Sequence, residues 1–173
     1  MIRAAAILPI AVLAALVALF AGYSLWHDPH VIPMTLVGKA APDLRLPRLD
    51  NGAATSLRPL ARGPALINFY ASWCPPCAEE APALMGLKAE GVRIVGIAYK
   101  DAPADNSAFL ARFGNPYQSV LVDRAGLGAV EFGVTGAPET YAVDEAGVIR
   151  AKYAGPLTAD VAEAMLQKAG NRG

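Results

Sequence analysis

Histidine, cysteine and net charge are all scarce in this sequence of 173 residues. It contains two histidines and two cysteines, and its 15 basic residues balance its 15 acidic ones, so the formal net charge is zero. Nucleic-acid-binding domains normally carry a basic surface, and this balance does not predict a nucleic-acid partner. A structural zinc site needs four ligands, but both histidines lie more than forty residues before the cysteine pair. We therefore expect no metal site.

A charge-free apolar run occupies residues 4–25, directly after Arg3. In helical form it would reach roughly 33 Å, enough to cross a bilayer core of about 30 Å. A single cation before the run favours an amino terminus in the cytoplasm. We expect residues 1–26 to form an uncleaved, single-pass inner-membrane anchor that leaves the rest of the chain in the periplasm, an oxidising compartment. A cleaved secretory signal and a buried helix of the soluble domain are the alternatives.

The rest of the chain is predicted to be a linker followed by one α/β domain. Residues 27–42 are rich in proline and small residues, which indicates the linker, and residues 43–173 would form the domain. The turn residues Asp50-Asn51-Gly52 between alternating leucines predict a β-hairpin at its start. Further strands are predicted at 65–70, 92–99, 118–123, 139–144 and 148–154, and helices at 75–89, 106–114, around 128–132 and at 158–170. This order implies an α/β sandwich with a mixed central sheet.

Both cysteines fall in one four-residue window, Cys74-Pro75-Pro76-Cys77, with Trp73 before it. A predicted strand runs into this window and a predicted helix leaves it. Cys74 would therefore lie at a helix amino terminus, where unpaired amides and the helix dipole stabilise a thiolate. Cys77, one turn later, could resolve a mixed disulfide, and the two prolines would stiffen the turn and tune its reduction potential. This context favours a redox-active dithiol over a structural disulfide, which in so short a loop would contribute on the order of 2 kcal/mol.

Three segments carry a resemblance to known proteins. The segment 69–77, FYASWCPPC, resembles the active site of thioredoxin-like proteins. The segment 133–157, GVTGAPETYAVDEAGVIRAKYAGPL, resembles the signature of the CcmG/DsbE family, which are thiol:disulfide interchange proteins of cytochrome c maturation. The segment 96–117, GIAYKDAPADNSAFLARFGNPY, resembles the central insertion of the same family. The resemblance extends over roughly residues 36–168. It implies a thioredoxin-like sandwich with an amino-terminal β-hairpin extension and a central insertion, preceded by one transmembrane helix.

The resemblance also implies roles for residues around the cysteine pair. Pro138 would be the cis-proline that faces Cys74 and Cys77, and the backbone of Ala137 would pair with an extended substrate segment. Trp73 would cover the site and offer a docking surface. An ordinary turn is the alternative interpretation of Pro138, and core packing is that of Trp73.

Acidic residues form a second implied group. Thioredoxin has a buried aspartate six residues before its first cysteine, and here that position is Asn68, which cannot ionise. The family has an acidic active site, and the nearby acids are Glu80, Glu139 and Glu79. A carboxylate close to Cys77 would raise that thiol's pKa and could exchange a proton with it. The alternative for Glu79 and Glu80 is a solvent-facing acid that complements the helix dipole.

The resemblance implies a membrane-anchored periplasmic thiol:disulfide oxidoreductase, with no cofactor beyond its redox-active Cys74–Cys77 disulfide. The substrate would be the disulfide of a CxxCH segment in an apocytochrome c, or in a maturation-complex thiol partner that carries one, during cytochrome c biogenesis. A DsbD- or CcdA-like membrane electron donor would re-reduce the protein. A general periplasmic disulfide reductase or oxidase is the alternative, and a thioredoxin-fold metal or haem chaperone is a further one.

Overall fold

The computed structural model describes residue 9, residues 12–19, residue 22 and residues 36–170, and the chain divides into two compact units, Met1–Pro33 and Met34–Gly173. In the first unit, residues 12–19 are helical and their large apolar side chains are exposed. Among the described residues, no helix combines the length and apolar character needed to cross a bilayer. Much of the predicted anchor (1–26) and of the predicted linker (27–42) lies outside the described residues, and both stay predictions.

The second unit contains seven strands and four helices among the described residues. In chain order they are β1 (Arg45–Pro47), β2 (Ala54–Ser56), β3 (Ala65–Tyr70), α1 (Pro75–Ala89), β4 (Arg93–Tyr99), α2 (Pro103–Phe113), β5 (Ser119–Asp123), α3 (Leu127–Phe132), β6 (Glu139–Val143), β7 (Ile149–Ala154) and α4 (Ala159–Gly170). Five of the strands form one sheet in the order β5-β4-β3-β6-β7. Strands β3, β4 and β5 are parallel, whereas β6 and β7 pair antiparallel, which confirms the predicted mixed sheet.

The hairpin predicted at the start of the domain is present as β1 and β2. Its turn is closed by Asn51, whose side-chain oxygen accepts from the amide of Ala53, and by Gly52 at φ 70°. The segment after β1 also reaches the main sheet, because the amide of Leu49 donates to the carbonyl of Val120 at 2.9 Å. The extension therefore partly covers the exposed edge of β5.

All four predicted helices are present, and only α2 begins clearly away from its predicted start. Helix α2 begins at Pro103, three residues before the predicted start at Asn106. Proline is well suited to the first helical position because its missing amide would have no partner there. Asn106 does not cap the helix, since its side chain is buried and hydrogen-bonds inward. Helix α4 begins after Thr158, whose hydroxyl accepts from the amide of Val161 at 3.4 Å and so caps the helix.

The sheet separates two hydrophobic clusters, and β3 contributes to both. All six of its residues are buried, as is usual for a central strand covered on both faces. Leu66 and Tyr70 face one cluster with α1, α2 and α4, whereas Ile67 and Phe69 face the other cluster with α3. The strand ends at the same edge as the other parallel strands, so the segment that follows it, with both cysteines, lies at that edge of the sheet.

Candidate active site

The two cysteines form a disulfide at the start of α1. Cys74 is the N-cap residue in extended conformation, and Pro75 and Pro76 open the helix. The amide of Cys77 donates to Cys74 Sγ at 3.2 Å. The sequence placed Cys74 at a helix amino terminus, and the structure has it there. In the reduced protein the same first-turn amides and the helix dipole would favour a thiolate on this sulfur.

The disulfide is shielded, but the residue before it is not. Cys74 and Cys77 are 3% and 2% exposed, whereas Trp73 is 56% exposed. The indole Nε1 of Trp73 donates to the carbonyl of Lys100 at 3.2 Å, and its ring lies 6.3 Å from that of Tyr99. Core packing is therefore the wrong interpretation of Trp73, which offers an apolar surface beside the cysteines.

A groove of about 270 Å³ runs next to the cysteine loop. Its walls are Pro76, the loop 135–138 and the segment 154–156. The Ala137–Pro138 peptide bond is cis, and the carbonyl of Pro138 accepts from the amide of Gly155 at 2.9 Å. The structure thus brings Pro76, Ala137 and Pro138 together around this groove. The 154–156 wall was not predicted, and its only signal in the sequence was the Gly-Pro pair after β7.

Glu80 is buried directly after the cysteine pair in α1. It is 1% exposed and lies one helical turn past Cys77, on the same face of the helix. Its Oε1 accepts from Asn68 Nδ2 at 3.0 Å and its Oε2 accepts from the amide of Leu157 at 2.8 Å. Burial raises the pKa of Glu80 to about 7, against the lowering effect of these two hydrogen bonds. The interpretation of Glu80 as a solvent-facing acid is wrong, whereas its neighbour Glu79 is exposed.

Asn68 joins Glu80 to two residues that the sequence did not single out. The Asn68 amide nitrogen also donates to Thr140 Oγ1 at 3.0 Å, and its oxygen accepts from the Tyr117 hydroxyl at 2.8 Å. Asn68, Thr140 and Tyr117 are all buried. Tyr117 is the last residue of the segment 96–117, and nothing in its local sequence indicates that it returns to the cysteine helix.

Glu139 is also buried, but it lies on the other side of the sheet. Its Oε2 accepts from the amide and the hydroxyl of Thr135 at 3.2 and 3.1 Å, and its Oε1 accepts from the Tyr141 hydroxyl and forms an ion pair with Lys152 at 2.8 Å. Alternation along β6 puts Glu139 and Tyr141 on one face and the residue between them, which contacts Asn68, on the opposite face. The structure therefore does not bring the carboxylates of Glu80 and Glu139 together.

Asp101, in the loop after β4, anchors the segment that carries the cysteines. Its carboxylate accepts from the amide and hydroxyl of Ser72 at 2.8 and 2.7 Å and from Asn106 Nδ2 at 2.9 Å. The oxygen of Asn106 in turn accepts from the Tyr70 hydroxyl at 2.8 Å. Sequence reasoning missed this network, which fixes the backbone two residues before Cys74.

Within residues 36–170 and the described part of the first unit, no group of three or more histidine, cysteine, aspartate or glutamate side chains could hold a metal ion. The described site itself offers a dithiol, a buried acid and an adjacent groove. His27 and His30 lie outside the described residues.

Comparisons with known proteins point to the same chemistry. The Redoxin family profile matches residues 36–167. The thiol:disulfide interchange protein HelX of Rhodobacter capsulatus is 43% identical over 157 residues, which cover 89% of this chain and 88% of HelX. The thiol:disulfide interchange protein DsbE of Allochromatium vinosum is 42% identical over 158 residues, covering 90% of this chain and 87% of that protein.

A solved structure agrees with the fold. The thioredoxin-family thiol:disulfide interchange protein of Chlorobium tepidum is 26% identical and superimposes with a TM-score of 0.61, over 75% of this chain and 94% of its own. The predicted thioredoxin-like sandwich is thus confirmed for the part of the chain that the structure describes.

Proposed function

This chain belongs to the Redoxin family and, within it, to the CcmG/DsbE thiol:disulfide interchange proteins, and we propose on that premise that it reduces disulfides in CxxCH segments of apocytochromes c. Membership of this family makes the protein a thiol:disulfide oxidoreductase. The observation that carries the proposal is the Cys74–Cys77 disulfide at the start of α1, beside a groove lined by Ala137 and Pro138. A maturation-complex partner that carries such a disulfide is the other form of the same substrate.

In the proposed reaction the Cys74 thiolate attacks one sulfur of the substrate disulfide. That sulfur becomes bonded to Cys74, and the other substrate sulfur leaves as a thiolate that takes up a proton. Cys77 then loses its proton and attacks Cys74 Sγ, which forms the Cys74–Cys77 disulfide and releases the first substrate sulfur. Two electrons pass from the dithiol to the substrate, which leaves with both thiols free.

Glu80 is the proposed acceptor of the Cys77 proton. Both residues lie on the buried face of α1, one turn apart, where water is largely excluded. A carboxyl group with a pKa of about 7 is half ionised near neutral pH, which suits a group that takes and returns a proton. Its charge would also raise the pKa of Cys77, so that Cys74 is the cysteine that attacks first.

The groove beside the disulfide is the proposed binding site of an extended substrate segment. Ala137 would hydrogen-bond the substrate backbone, and Pro138 would hold the substrate sulfur against Cys74. Trp73 would cover the segment from the other side, which its 56% exposure supports.

We further propose that residues 1–26 anchor the protein in the inner membrane with the described domain in the periplasm. The charge-free run at 4–25 and the exposed apolar side chains of residues 12–19 support this proposal. An oxidising compartment cannot re-reduce the disulfide, so a membrane electron donor resembling DsbD or CcdA is needed. The anchor would keep the protein on the surface where that donor lies.

The test uses the reduced full-length protein in detergent micelles and a disulfide-bonded CxxCH peptide. We expect the protein to reduce the peptide and a Cys74→Ser variant to lose the reaction, because the attacking sulfur is gone. A peptide with an unrelated disulfide is the control for specificity. If the two peptides react equally fast, the protein is a general reductase. If wild type and Cys74→Ser release thiols at the same rate, the proposal is wrong.

A further inference from the structure

Three buried side chains from distant parts of the chain form one series of hydrogen bonds on the side of the sheet where the cysteines lie. Tyr117 precedes β5, Asn68 belongs to β3 and Glu80 belongs to α1. The Tyr117 hydroxyl donates to Asn68 Oδ1 at 2.8 Å, and Asn68 Nδ2 donates to Glu80 Oε1 at 3.0 Å. We refer to these residues as the Tyr117–Asn68–Glu80 chain.

The orientation of the Asn68 amide is fixed by its three partners. An amide group has two donors on its nitrogen and an acceptor oxygen. In Asn68 the nitrogen donates to Glu80 and to Thr140 Oγ1, and the oxygen accepts from Tyr117. A reversed amide would turn its oxygen toward a carboxylate oxygen of Glu80, which an ionised carboxylate disfavours. In the observed orientation the Tyr117 hydroxyl donates to the amide oxygen, which leaves the donor side of Asn68 toward Glu80.

The packing of Tyr117 supports a dedicated place for its ring. A Cβ atom on Gly96 in β4 would lie 2.8 Å from Cγ of Tyr117, so the glycine leaves the space that the ring fills. The Tyr117 ring also stacks on that of Tyr70, with centroids 4.5 Å apart. The central insertion thus ends by placing one hydroxyl next to Asn68.

We propose that Asn68 and Tyr117 are positioning residues of the oxidoreductase reaction. Tyr117 orients the Asn68 amide, and the amide holds Glu80 in its ionised, proton-accepting form for Cys77. This inference rests on the function proposed above for Glu80, and it assigns the end of the central insertion a part in the step that resolves the mixed disulfide.

The electrostatics of the site give the direction of the expected effect. Burial raises the pKa of Glu80, whereas the hydrogen bonds from Asn68 and Leu157 lower it. Among the described residues, Tyr117 faces Glu80 from outside its helix, with Tyr70 stacked behind it, and Cys77 lies one turn away on the same helix. Burial raises the pKa of Tyr117 well above its usual range, so its hydroxyl stays protonated and donates. Without that hydroxyl the amide can turn and accept from a protonated Glu80, which raises the pKa of Glu80 further.

The experiment compares Tyr117→Phe and Asn68→Ala with wild type, and Tyr70→Phe is the matched control. Tyr70 is also a buried tyrosine of the same cluster, but its hydroxyl donates to Asn106 rather than to Asn68. Carbon NMR of the full-length protein in micelles follows the titration of the Glu80 carboxyl. In a separate measurement, the reduced protein reacts with an aromatic disulfide, and the release of the second aromatic thiol against pH reports the step in which Cys77 resolves the mixed disulfide.

We expect Tyr117→Phe and Asn68→Ala to raise the pKa of Glu80 by about one pH unit. This is the change that follows when an ionised group loses one hydrogen bond. The pH profile of the second thiol release should move upward with it, whereas Tyr70→Phe should leave the pKa of Glu80 and the midpoint of that profile unchanged. If Tyr117→Phe matches wild type, or if Tyr70→Phe shifts the profile equally, the inference is overturned. Neither measurement uses a cytochrome peptide, so failure with the CxxCH peptide overturns only the proposed substrate.

Discussion

At the scale of single residues, the neighbours Glu79 and Glu80 show how one helical position decides what an acid can do. Glu79 is exposed, whereas Glu80 turns inward between Asn68 and the amide of Leu157. Glu80, one turn past Cys77 on the same face, can meet the buried thiol, whereas Glu79, the residue before it, points to another side of the helix. Two carboxylates with the same chemistry therefore have different expected roles.

Glu80→Gln should slow the resolving step because glutamine has no basic group to accept the Cys77 proton. The expected loss in the rate of second thiol release is roughly 10²-fold, the lower end of what a positioned acid–base group contributes. Stopped-flow reaction of the reduced protein with an aromatic disulfide measures it. Glu79→Gln is the matched control and should react like wild type. Equal rates for wild type and Glu80→Gln would contradict the assignment.

The stability of the oxidised protein should fall as pH rises through the range in which Glu80 titrates. The pKa of Glu80 is raised from 4.5 to about 7 in the folded protein, so between these values the unfolded chain releases this proton first. The contribution of Glu80 to the free energy of unfolding is fully present below pH 4.5 and is lost by about pH 7. The loss amounts to about 3 kcal/mol at most.

Denaturant unfolding at several pH values measures this dependence, and oxidised protein is used so that the cysteines do not titrate. Subtracting the same curve for Glu80→Gln isolates the contribution of this residue. The difference between the two proteins should change across pH 4.5 to about 7. A constant difference over that range would mean that Glu80 is ionised normally in the folded state.

At the scale of elements, the cis-proline loop is held by a buried ion pair from the adjoining hairpin. Glu139, the first residue of β6, is 0% exposed and accepts from Thr135 at the start of the loop. Lys152 of β7, with a side chain 8% exposed, lies 2.8 Å from the same carboxylate. The pair therefore connects the loop that lines the groove with the two antiparallel strands of the sheet.

Glu139→Gln should destabilise the protein by about 3 kcal/mol or more, because it leaves the Lys152 ammonium buried without a counter-charge. Lys152→Met should cost a similar amount, and the double variant should recover much of the loss, since it leaves neither charge uncompensated. Urea unfolding of the four proteins measures the coupling. The exposed pair of Arg48 and Asp50 is the control, and Asp50→Asn should leave the unfolding midpoint unchanged. Additive losses at Glu139 and Lys152 would contradict the coupling.

At the scale of the whole molecule, the sequence was sufficient for the order of elements and for the position of the cysteine pair. Local patterns determine these features: the apolar run 65–70, the turn around Gly52 and the helix that opens at Pro75. The start of α2 was wrong by three residues because Asn106, a good cap by type, is used instead for a tertiary contact with Tyr70.

The surroundings of the cysteines could be predicted only in part, because they depend on pairs of residues far apart in the chain. The sequence could predict that Glu80 lies near Cys77, because it follows Cys77 by one helical turn. Leu157, which donates to Glu80, and Tyr117, which reaches Glu80 only through Asn68, come from loops that local patterns do not connect to α1, and only tertiary packing brings them there. The side of the sheet on which Glu139 lies follows from the register of β6, which no short motif specifies.

Removal of the first unit tests the proposed anchor. A fragment of residues 34–173 comprises the second compact unit, so it should fold and react with an aromatic disulfide at the rate of the full-length protein. The full-length protein should remain with the membranes after an alkaline wash, whereas the fragment, exported by an unrelated signal, should be found free in the periplasm. Mass spectrometry of the membrane-bound protein checks that the amino terminus is intact. A shortened protein released into the periplasm would instead indicate a cleaved signal, and the anchor proposal would then be wrong.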